Sequence, residues 1–474
     1  VVTALGIRKE KKALGYSVAT IGSGAVQNRV ESDVGRILRG KAAGVDITQT
    51  SGVAGSGTNI IIRGYSSING TNQPLFVVDG VPFNTSTNTD RGFATGGATA
   101  SSRFLDLDPN NIAEINVLKG LSATVLYGEQ GANGVILVTT KNGQGGSEAQ
   151  KGFEISVTQG VARTEVANLP DYQNTYGNGF SGNFGWFFSN WGPSFDTRGS
   201  NGIADDGTVE HPYDQEQYRA AFPEFEGARY DYAPYDNVGQ FFQAGTVYNT
   251  SVNMDKNFGN GISFNANYSY LDDTGFVPQN NLTKHNVGVG GKMNLANGIK
   301  ISATLNAAIT DRVAPPASIG FGSNPVGPSV FANVLYTPRS IDLAGLPFQN
   351  PIDGSNVYYR RGSAIQNPRW GLNNMFDREN VSRYFGNLSV SYDITDWLTA
   401  SYRVGLDTYT QEQRREVNKG GSQSPDGFLT TTNRRNTILD QVINLSFDTD
   451  INESFNLSGV VGFNDRQDRF DLTG

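Results

Sequence analysis

The sequence predicts a membrane all-β barrel preceded by a small α+β domain. Three observations lead to this fold class. The 474 residues contain no run of about 18 apolar residues, so no transmembrane helix is predicted. Segments beyond residue 151 alternate apolar and polar residues with a period of two, as strands with one apolar face do. Before them, about 145 residues mix short strand and helix signals and end in a glycine-rich reversal.

The composition fits a β-rich protein with many turns and excludes several kinds of site. The chain has 58 glycines, 11% aromatic residues and 17% charged residues. It has no cysteine, which excludes disulfides, thiolate metal sites and a thiol nucleophile. Its two histidines, His211 and His285, lie far apart, and we expect them to be ordinary loop and strand residues. A net charge of −8 argues against sequence-independent nucleic-acid binding.

The alternation predicts nine strands after residue 151. In the clearest example, apolar residues from Ile262 to Tyr270 alternate with serine and asparagine, so the strand has one apolar and one polar face. We place the strands near residues 151–163, 246–258, 262–271, 283–295, 299–310, 382–394, 398–410, 437–449 and 455–467.

The lengths of the connections distinguish a barrel from a soluble sandwich. Short turns follow residues 258, 295, 394 and 451. The connections at the other end are long and are predicted to be extracellular loops, 164–245, 311–380 and 411–435. Short turns at one end and long loops at the other are typical of an outer-membrane barrel.

The N-terminal region predicts a small α+β domain. Ser32 is a candidate N-cap for a helix that contains Val34, Ile37 and Leu38, and Asp108-Pro109 is predicted to begin a short helical turn. Residues 83–103 are polar and aperiodic and predict a loop. The predicted strands are Tyr16–Ile21, Val45–Gln49, Asn59–Arg63, Pro74–Asp79, Glu114–Lys119 and Gly134–Lys141.

Four stretches of this domain resemble, in the right order, the plug domain of TonB-dependent outer-membrane transporters. They read LRGKAAGVDI, IIIRGYSS, PLFVVDGVP and SATVLYGEQGANGVILVTTKNG, and the last is most similar to the SusC/RagA branch of that family. The residues that carry the plug motif are Arg63, Gly64, Asp79, Gly80, Lys119, Gly120, Tyr127, Gly128, Gly131 and Gly134.

The resemblance implies how the two parts are arranged. Residues 1–145 would be a TonB-box remnant and a plug domain inside the lumen, and residues 151–474 would be the N-terminal portion of a 22-stranded transmembrane barrel. Nine strands alone would leave two unpaired edges in hydrocarbon. We therefore expect about half of the natural protein to lie outside this sequence, or another chain to complete the wall. No signal peptide is recognisable, so we expect a mature or trimmed form.

The resemblance also implies a function. It is TonB-dependent active import of a nutrient, an oligosaccharide or a peptide, across the cell outer membrane of a Gram-negative-type envelope, with no chemistry on the substrate and hence no enzyme activity. Val1, Val2 and Thr3 resemble the tail of a TonB box, which would bind TonB by strand addition. The implied partners are TonB with ExbB and ExbD, a SusD-like surface lipoprotein and outer-membrane lipid. The alternative is a passive or structural barrel, such as a porin or an adhesin.

Aromatic residues mixed with polar ones suit contact with sugars or peptides. From loop 164–245 we select Trp186 and Trp191 as candidate substrate contacts, and from the plug Tyr65, Phe83 and Arg91. Packing of a long ordered loop, or an aromatic girdle at the membrane interface, would explain the same aromatic residues.

The sequence contains no convincing metal site and no catalytic motif. Asn201, Asp205 and Asp206 offer oxygen ligands for a calcium ion in an extracellular loop, although their spacing does not match an EF-hand. We expect no other metal and no cofactor. An extracellular glycan hydrolase would need a catalytic constellation that the sequence lacks.

Overall fold

A computed structural model shows a small mixed sheet lying against the inner face of a large antiparallel sheet. The structure describes residues 18–26, 29–49, 51–67, 72–88, 100–119, 127–141, 152–259, 261–315, 329–360, 365–452 and 455–474. Within these ranges, no helix is both long enough and apolar enough to cross a membrane.

The small sheet belongs to the N-terminal domain, which we call the plug. Its strands are β1 (Val18–Gly22), β4 (Leu75–Val78), β5 (Val81–Phe83), β6 (Ile112–Leu118) and β7 (Val135–Thr140), in the order β1-β6-β7-β4-β5. Only the β4–β7 pairing among these is parallel. β2 (Val45–Gln49) and β3 (Thr58–Ile62) form a separate antiparallel pair. Two single helical turns, α1 (Ser23–Val26) and α2 (Val34–Ile37), precede this pair.

The large sheet, which we call the wall, contains nine strands in the described part of the chain, and each strand pairs with its sequence neighbour in the sheet. This confirms the predicted architecture. The strands are β8 (Glu154–Thr164), β13 (Gly245–Gly259), β14 (Ile262–Thr274), β15 (Asn281–Asn294), β16 (Ile299–Ala314), β17 (Met375–Thr395), β18 (Leu398–Val417), β19 (Phe428–Asn452) and β20 (Phe455–Thr473).

The two faces of the wall differ in a way that reverses the usual pattern of a soluble protein. On β14, the apolar side chains of Ile262, Phe264 and Tyr268 are exposed, whereas Asn265 and Asn267 are buried. The same division repeats on β15 to β19. Because the buried polar face lies against the plug, the apolar face is the outer one, as expected for strands that contact lipid.

The region between β8 and β13 is an ordered loop with its own core. It contains β9 (Gly179–Phe180), β10 (Asn183–Phe184), β11 (Thr208–Glu210), β12 (Arg229–Asp231), short 3₁₀ turns at Glu216–Tyr218 and Pro223–Phe225, and helix α3 (Asn237–Phe241). It packs against a second loop that carries helices α4 (Val330–Leu335) and α5 (Pro368–Asn374). The shared core is rich in tyrosine and phenylalanine.

Three local details concern the capping and loop predictions. Asp33, not Ser32, is the N-cap of α2, because its carboxylate accepts from the N–H of Gly35 at 2.7 Å. The turn that begins at Asp108-Pro109 is confirmed as a 3₁₀ turn over Pro109–Asn111. The loop predicted at 411–435 is shorter in the structure, because β18 and β19 both extend into it. Only residues 418–427 remain between the two strands. The added strand residues are mostly polar on both faces, so apolar alternation does not reveal them.

Candidate functional site

The plug meets the wall through a cluster of buried ion pairs. Arg103, in the 3₁₀ turn Arg103–Asp106, donates from Nη2 to Oε1 of Glu379 on β17 at 2.9 Å, and its Nη1 lies 3.4 Å from Asp106. The other carboxylate oxygen of Glu379 lies 3.6 Å from Nη1 of Arg312 on β16 and accepts from the N–H of Ser101 at 3.2 Å. These charged side chains are 2% exposed or less.

Arg383 on β17 extends the cluster to a third wall strand and to a second plug segment. Its Nε and Nη2 donate to the two oxygens of Asp407 on β18 at 2.8 and 2.7 Å. Its Nη1 donates to Asp106 at 3.1 Å, and its Nη2 also donates to the carbonyl of Asn84 at 2.9 Å. The guanidinium carbon lies 3.3 Å from the centre of the Phe83 ring. The guanidinium therefore holds two separate plug segments to the wall.

The cluster is balanced in charge. Arg103, Arg312 and Arg383 face Asp106, Glu379 and Asp407, so three cations meet three carboxylates in a water-poor interface. Removing one partner from a buried pair typically costs about 3–5 kcal/mol, because a charge is left buried and uncompensated. The cluster therefore fixes the position of the plug rather than letting it slide.

A second set of contacts runs from wall cations to the plug main chain. Nζ of Lys284 on β15 donates to the carbonyl oxygens of Ser32, Leu105 and Leu107 at 3.1, 2.9 and 3.1 Å. Nε of Arg312 donates to the carbonyl of Ala54 at 3.0 Å. These bonds join plug segments that are far apart in sequence to adjacent wall strands, and they require no particular plug side chain.

Asparagine side chains on β14, β16 and β17 make further contacts with the plug. Asn267 on β14 donates to Asp108 at 3.2 Å. Asn306 on β16 accepts from Asn111 at 3.1 Å, and Asn387 on β17 donates to the carbonyl of Asp79 at 3.0 Å. Neutral amides satisfy buried polar groups without the desolvation cost of full charges. The inner face of the wall thus combines amide contacts on β14, β16 and β17 with ion pairs concentrated on β16 to β18.

The predicted plug-motif residues Asp79 and Gly80 form a left-handed turn that abuts the wall. Their φ angles are 48° and 85°, and a Cβ on Gly80 would collide with Arg403 on β18. The Asp79 carboxylate accepts from the N–H and Oγ1 of Thr140 at 2.9 and 2.6 Å. Burial raises the pKa of Asp79, and the bonds from Thr140 oppose that rise. The motif thus ties the β4–β5 turn to the end of β7.

The other described plug-motif residues have structural roles inside the plug. Arg63 and Gly64 adopt φ angles of 62° and 96° at the end of β3. Lys119 donates from Nζ to the carbonyl of Ala43 at 2.6 Å. Gly134 has a φ of 95° and packs against Ile62. Tyr127 precedes the 3₁₀ turn Gly128–Gly131, and Gly120 lies outside the described residues.

The predicted substrate contacts divide by exposure. Tyr65 is 73% exposed on the plug, and Trp191 is 62% exposed on the long loop, where it meets the edge of Phe180. Phe83 and Trp186 are 3% and 8% exposed, and both rings pack inside the protein. Substrate contact stays a prediction for Tyr65 and Trp191, whereas burial assigns Phe83 and Trp186 to packing in this structure. Arg91 and the segment Val1–Thr3 lie outside the described residues.

The loop surface around Trp191 carries aromatic residues that we did not single out as substrate contacts. Phe180, Phe187 and Phe188 are exposed, and the guanidinium of Arg360 lies 4.9 Å from the Phe188 ring centre. The buried ion pairs were also missed, although one signal was present. Arg383, Asp407 and Glu379 are charged residues at inward positions of alternating strands, where a charge needs a partner.

The structure shows what surrounds the candidate calcium ligands and His211. Across the described ranges, no three His, Cys, Asp or Glu side chains are grouped to hold a metal ion. Asp206 instead accepts from the N–H and Oγ1 of Thr208 at 2.9 and 2.7 Å. His211 stacks on Phe225 at 3.9 Å, its Nδ1 accepts from the N–H of Tyr213, and burial lowers its pKa to about 4. His211 is therefore a neutral packing residue at pH 7.

Comparison with known proteins agrees with this geometry. Residues 10–135 match the TonB-dependent Receptor Plug Domain family. The chain is 35% identical over 170 residues to TonB-dependent receptor P26 of Formosa agariphila and 33% identical over 175 residues to TonB-dependent receptor SusC of Bacteroides thetaiotaomicron. Each of these matches covers 36% of this chain and 16% of the relative.

A solved structure shares the fold over the whole chain. The RagAB peptide importer in its "open-open" state superposes with a TM-score of 0.75 at 18% identity, covering 100% of this chain and 49% of the solved chain. The chain thus spans about half of that protein. These matches are to receptors and transporters rather than to enzymes. Residues 10–135 are therefore similar to the plug domain of TonB-dependent receptors, and the fold of the chain, a plug against a nine-stranded part of a barrel, is that of about half of the solved RagAB importer chain.

Proposed function

We propose that this protein imports a nutrient, an oligosaccharide or a peptide, across the outer membrane by a TonB-dependent mechanism. The supporting observation is the buried ion-pair cluster at Arg103, Glu379 and Arg383, which fixes the plug against the inner wall. A passage blocked in this way does not open often by thermal motion, because opening has to break several buried ion pairs at the same time. External work is needed, and TonB with ExbB and ExbD would supply it from the proton-motive force.

The segment Val1–Thr3 is the part of the chain that we propose TonB grips. Strand addition uses backbone N–H and C=O groups, so three consecutive residues of high β-propensity suit it. A pulling force on this segment would be transmitted along the chain to β1. This strand lies at the edge of the plug sheet and pairs there with β6 alone. An edge strand has one set of ladder hydrogen bonds to break instead of two.

A SusD-like surface lipoprotein is the proposed partner at the outer mouth. The long loops there form one ordered body with a shared aromatic core, so they present a preformed surface. That surface carries exposed aromatic rings around Trp191, which are enriched at protein interfaces and pack well on sugars. The solved relative is called a peptide importer, and exposed aromatic rings also suit sugars, so both substrate classes stay in the proposal.

The test exchanges Val2 for proline in the intact protein in its native cell. Val2→Pro removes one backbone N–H and fixes φ, which disfavours strand addition, whereas the control Val2→Ala keeps the backbone donor. Uptake of labelled oligosaccharides and peptides is measured from a panel. We expect Val2→Pro to lower uptake to the level of a gene deletion and Val2→Ala to leave it unchanged. Uptake that survives Val2→Pro and collapse of the proton-motive force would instead identify a passive barrel.

A further inference from the structure

A cavity of about 430 Å³ lies among the extracellular loops, close to the plug. It is lined by residues of α3, of the β14–β15 turn, of residues 343–348 and of α5. Its volume falls in the range of small-molecule binding sites. The lining combines the aromatic rings of Phe241 and Phe348 with several amide side chains and one guanidinium, and it includes no carboxylate.

The guanidinium is that of Arg369, the second residue of α5. Its Nη1 donates to the carbonyls of Leu343, Ala344 and Leu346 at 3.0, 2.7 and 3.0 Å, and its guanidinium carbon lies 4.6 Å from the centre of the Phe348 ring. These contacts fix the orientation of the group. Among the described residues, Nε and Nη2 make no hydrogen bond. A positioned arginine with two free donors matches the two oxygens of a carboxylate.

Two amides beside the arginine also keep their hydrogen-bonding capacity. The side chains of Gln240 and Gln279 line the cavity, are exposed to solvent, and make no hydrogen bond within the described parts of the chain. Gln279 also adopts a φ of 65°, a left-handed conformation that costs energy for a residue other than glycine. Such strain tends to occur at ligand sites. The cavity therefore offers free donors, free acceptors and apolar ring faces together.

The cavity shares a turn with the plug contact. Gln279 is followed by Asn280, whose Oδ1 accepts from the N–H of Ala54 in the plug at 2.7 Å and whose Nδ2 donates to the carbonyl of Val313 at 2.9 Å. The ring of Phe276, in the same turn, lies against Gly52. A ligand held by Gln279 would thus lie one residue from a wall–plug hydrogen bond.

We propose that this cavity binds the carboxylate group of an organic ligand, with Arg369 as the anion-binding group. The proposal rests on the proposed import function and narrows its substrate class. The carboxylate is supplied either by a uronic acid residue of an oligosaccharide or by the C-terminus of a peptide. Phe348 contacts the apolar face of the sugar ring or a peptide side chain, and Gln240 and Gln279 bind its polar groups.

The first test uses the intact protein in detergent and two matched ligand pairs. Digalacturonic acid is compared with its neutral dimethyl ester, and N-acetyl-trialanine with its neutral C-terminal amide, by calorimetric titration. We expect one free acid, or both, to bind about tenfold to hundredfold more tightly than its neutral partner, as a lost charge-assisted hydrogen-bond pair predicts. The pair that responds identifies the source of the carboxylate. Equal affinity within both pairs overturns the proposal without any mutation.

The second test assigns the effect to this cavity. Arg369→Gln is expected to abolish the preference for the free acid. Gln279→Gly removes one amide, relieves the left-handed strain, and is expected to weaken both members of a pair. Arg219→Gln, at an exposed pair with Glu226, is the matched control and is expected to change nothing. If Arg369→Gln disrupts the loops, Gln279→Gly carries the test, and wild-type affinity in that variant overturns the proposal. If the protein shows no preference for the free acids but still takes up nutrients in a TonB-dependent way, the carboxylate proposal fails and the import function is retained.

Discussion

Arg383 and Asp407 lie on neighbouring wall strands and form a two-point fork, with N–O distances of 2.8 and 2.7 Å. Asp407 uses the same carboxylate to accept from the N–H of plug residue Asn84 at 2.9 Å, and Arg383 donates to the carbonyl of that residue. The main-chain N–H and C=O groups of one plug residue, Asn84, are thus both bound by one wall pair. This arrangement locates the plug along the barrel axis and leads to the first prediction.

Replacing Arg383 by methionine should loosen the plug. The variant keeps side-chain bulk but leaves Asp407 buried without its cation and Asp106 with Arg103 alone, so docking should weaken by about 3–5 kcal/mol. Conductance across a planar bilayer, recorded at rising urea concentration, should increase at a lower concentration than in the unmutated protein. Arg469→Met is the control, because its partner Asp471 and Arg469 itself are exposed. Identical conductance curves for Arg383→Met and the unmutated protein would contradict the role of the fork.

Lys284→Met should release two plug segments together. The three carbonyl oxygens of Ser32, Leu105 and Leu107 lose their shared donor, at an expected cost of about 1–3 kcal/mol. Hydrogen exchange should rise in peptides covering 29–49 and 101–119, while peptides of the long loops keep their protection. Lys300→Met, which removes a half-exposed pair with Asp393, serves as the control. A rise confined to only one of the two segments would argue against a shared anchor.

Gly405→Ala tests how closely the wall approaches the plug. A Cβ at this inward position of β18 would collide with the side chain of Val81. Overpacking of this kind costs about 1–3 kcal/mol, so we expect a lower thermal midpoint for the plug. Val81→Ala in the same protein should restore most of the loss, since it removes the colliding methyl groups. Gly22→Ala, where the added methyl meets nothing within 4 Å, is expected to leave the thermal midpoint unchanged. Failure of the second substitution to rescue would mean that Gly405 serves another purpose.

Mild acid should lower the stability of the ordered loop between β8 and β13, because His211 is held neutral there. Burial lowers its folded-state pKa to about 4 from an ordinary value of 6.5, so the folded loops hold it neutral. The stability that this neutral form contributes is complete above pH 6.5 and is lost as the pH falls through about 4. The protection factors of residues 208–231, which correct for the slower intrinsic exchange in acid, should therefore fall from pH 7 to pH 5. In His211→Asn, which keeps an acceptor for the Tyr213 N–H, this fall should be smaller, whereas His285→Asn should leave it unchanged.

The strand pattern of the wall could be predicted because hydrocarbon contact imposes a strict period of two. From Ile262 to Tyr270 the outward residues are apolar, and this signal needs no knowledge of the interior. The predicted strand ends were less accurate. β17 begins at Met375 rather than near residue 382, since residues beyond the apolar band are polar on both faces and no longer alternate.

The plug–wall contacts were beyond prediction because they depend on which distant residues face each other. Glu379 and Arg103 are 276 positions apart, and only the packed structure brings them together. The aromatic residues of the long loop show the same limit. Trp186 and Trp191 are five positions apart in one aromatic-rich stretch, yet one is buried in the loop core and the other faces solvent.

The bonds from Lys284 and Arg312 to plug carbonyls have a consequence for domain exchange. Every amino acid carries the same carbonyl oxygen, so a wall that binds the backbone places little restriction on the identity of residues 32, 54, 105 and 107. A plug transplanted from a distant relative would keep these bonds as long as its backbone path were preserved. Compatibility between barrels and foreign plugs should then be decided at positions 103, 106 and 379, where charge must match charge.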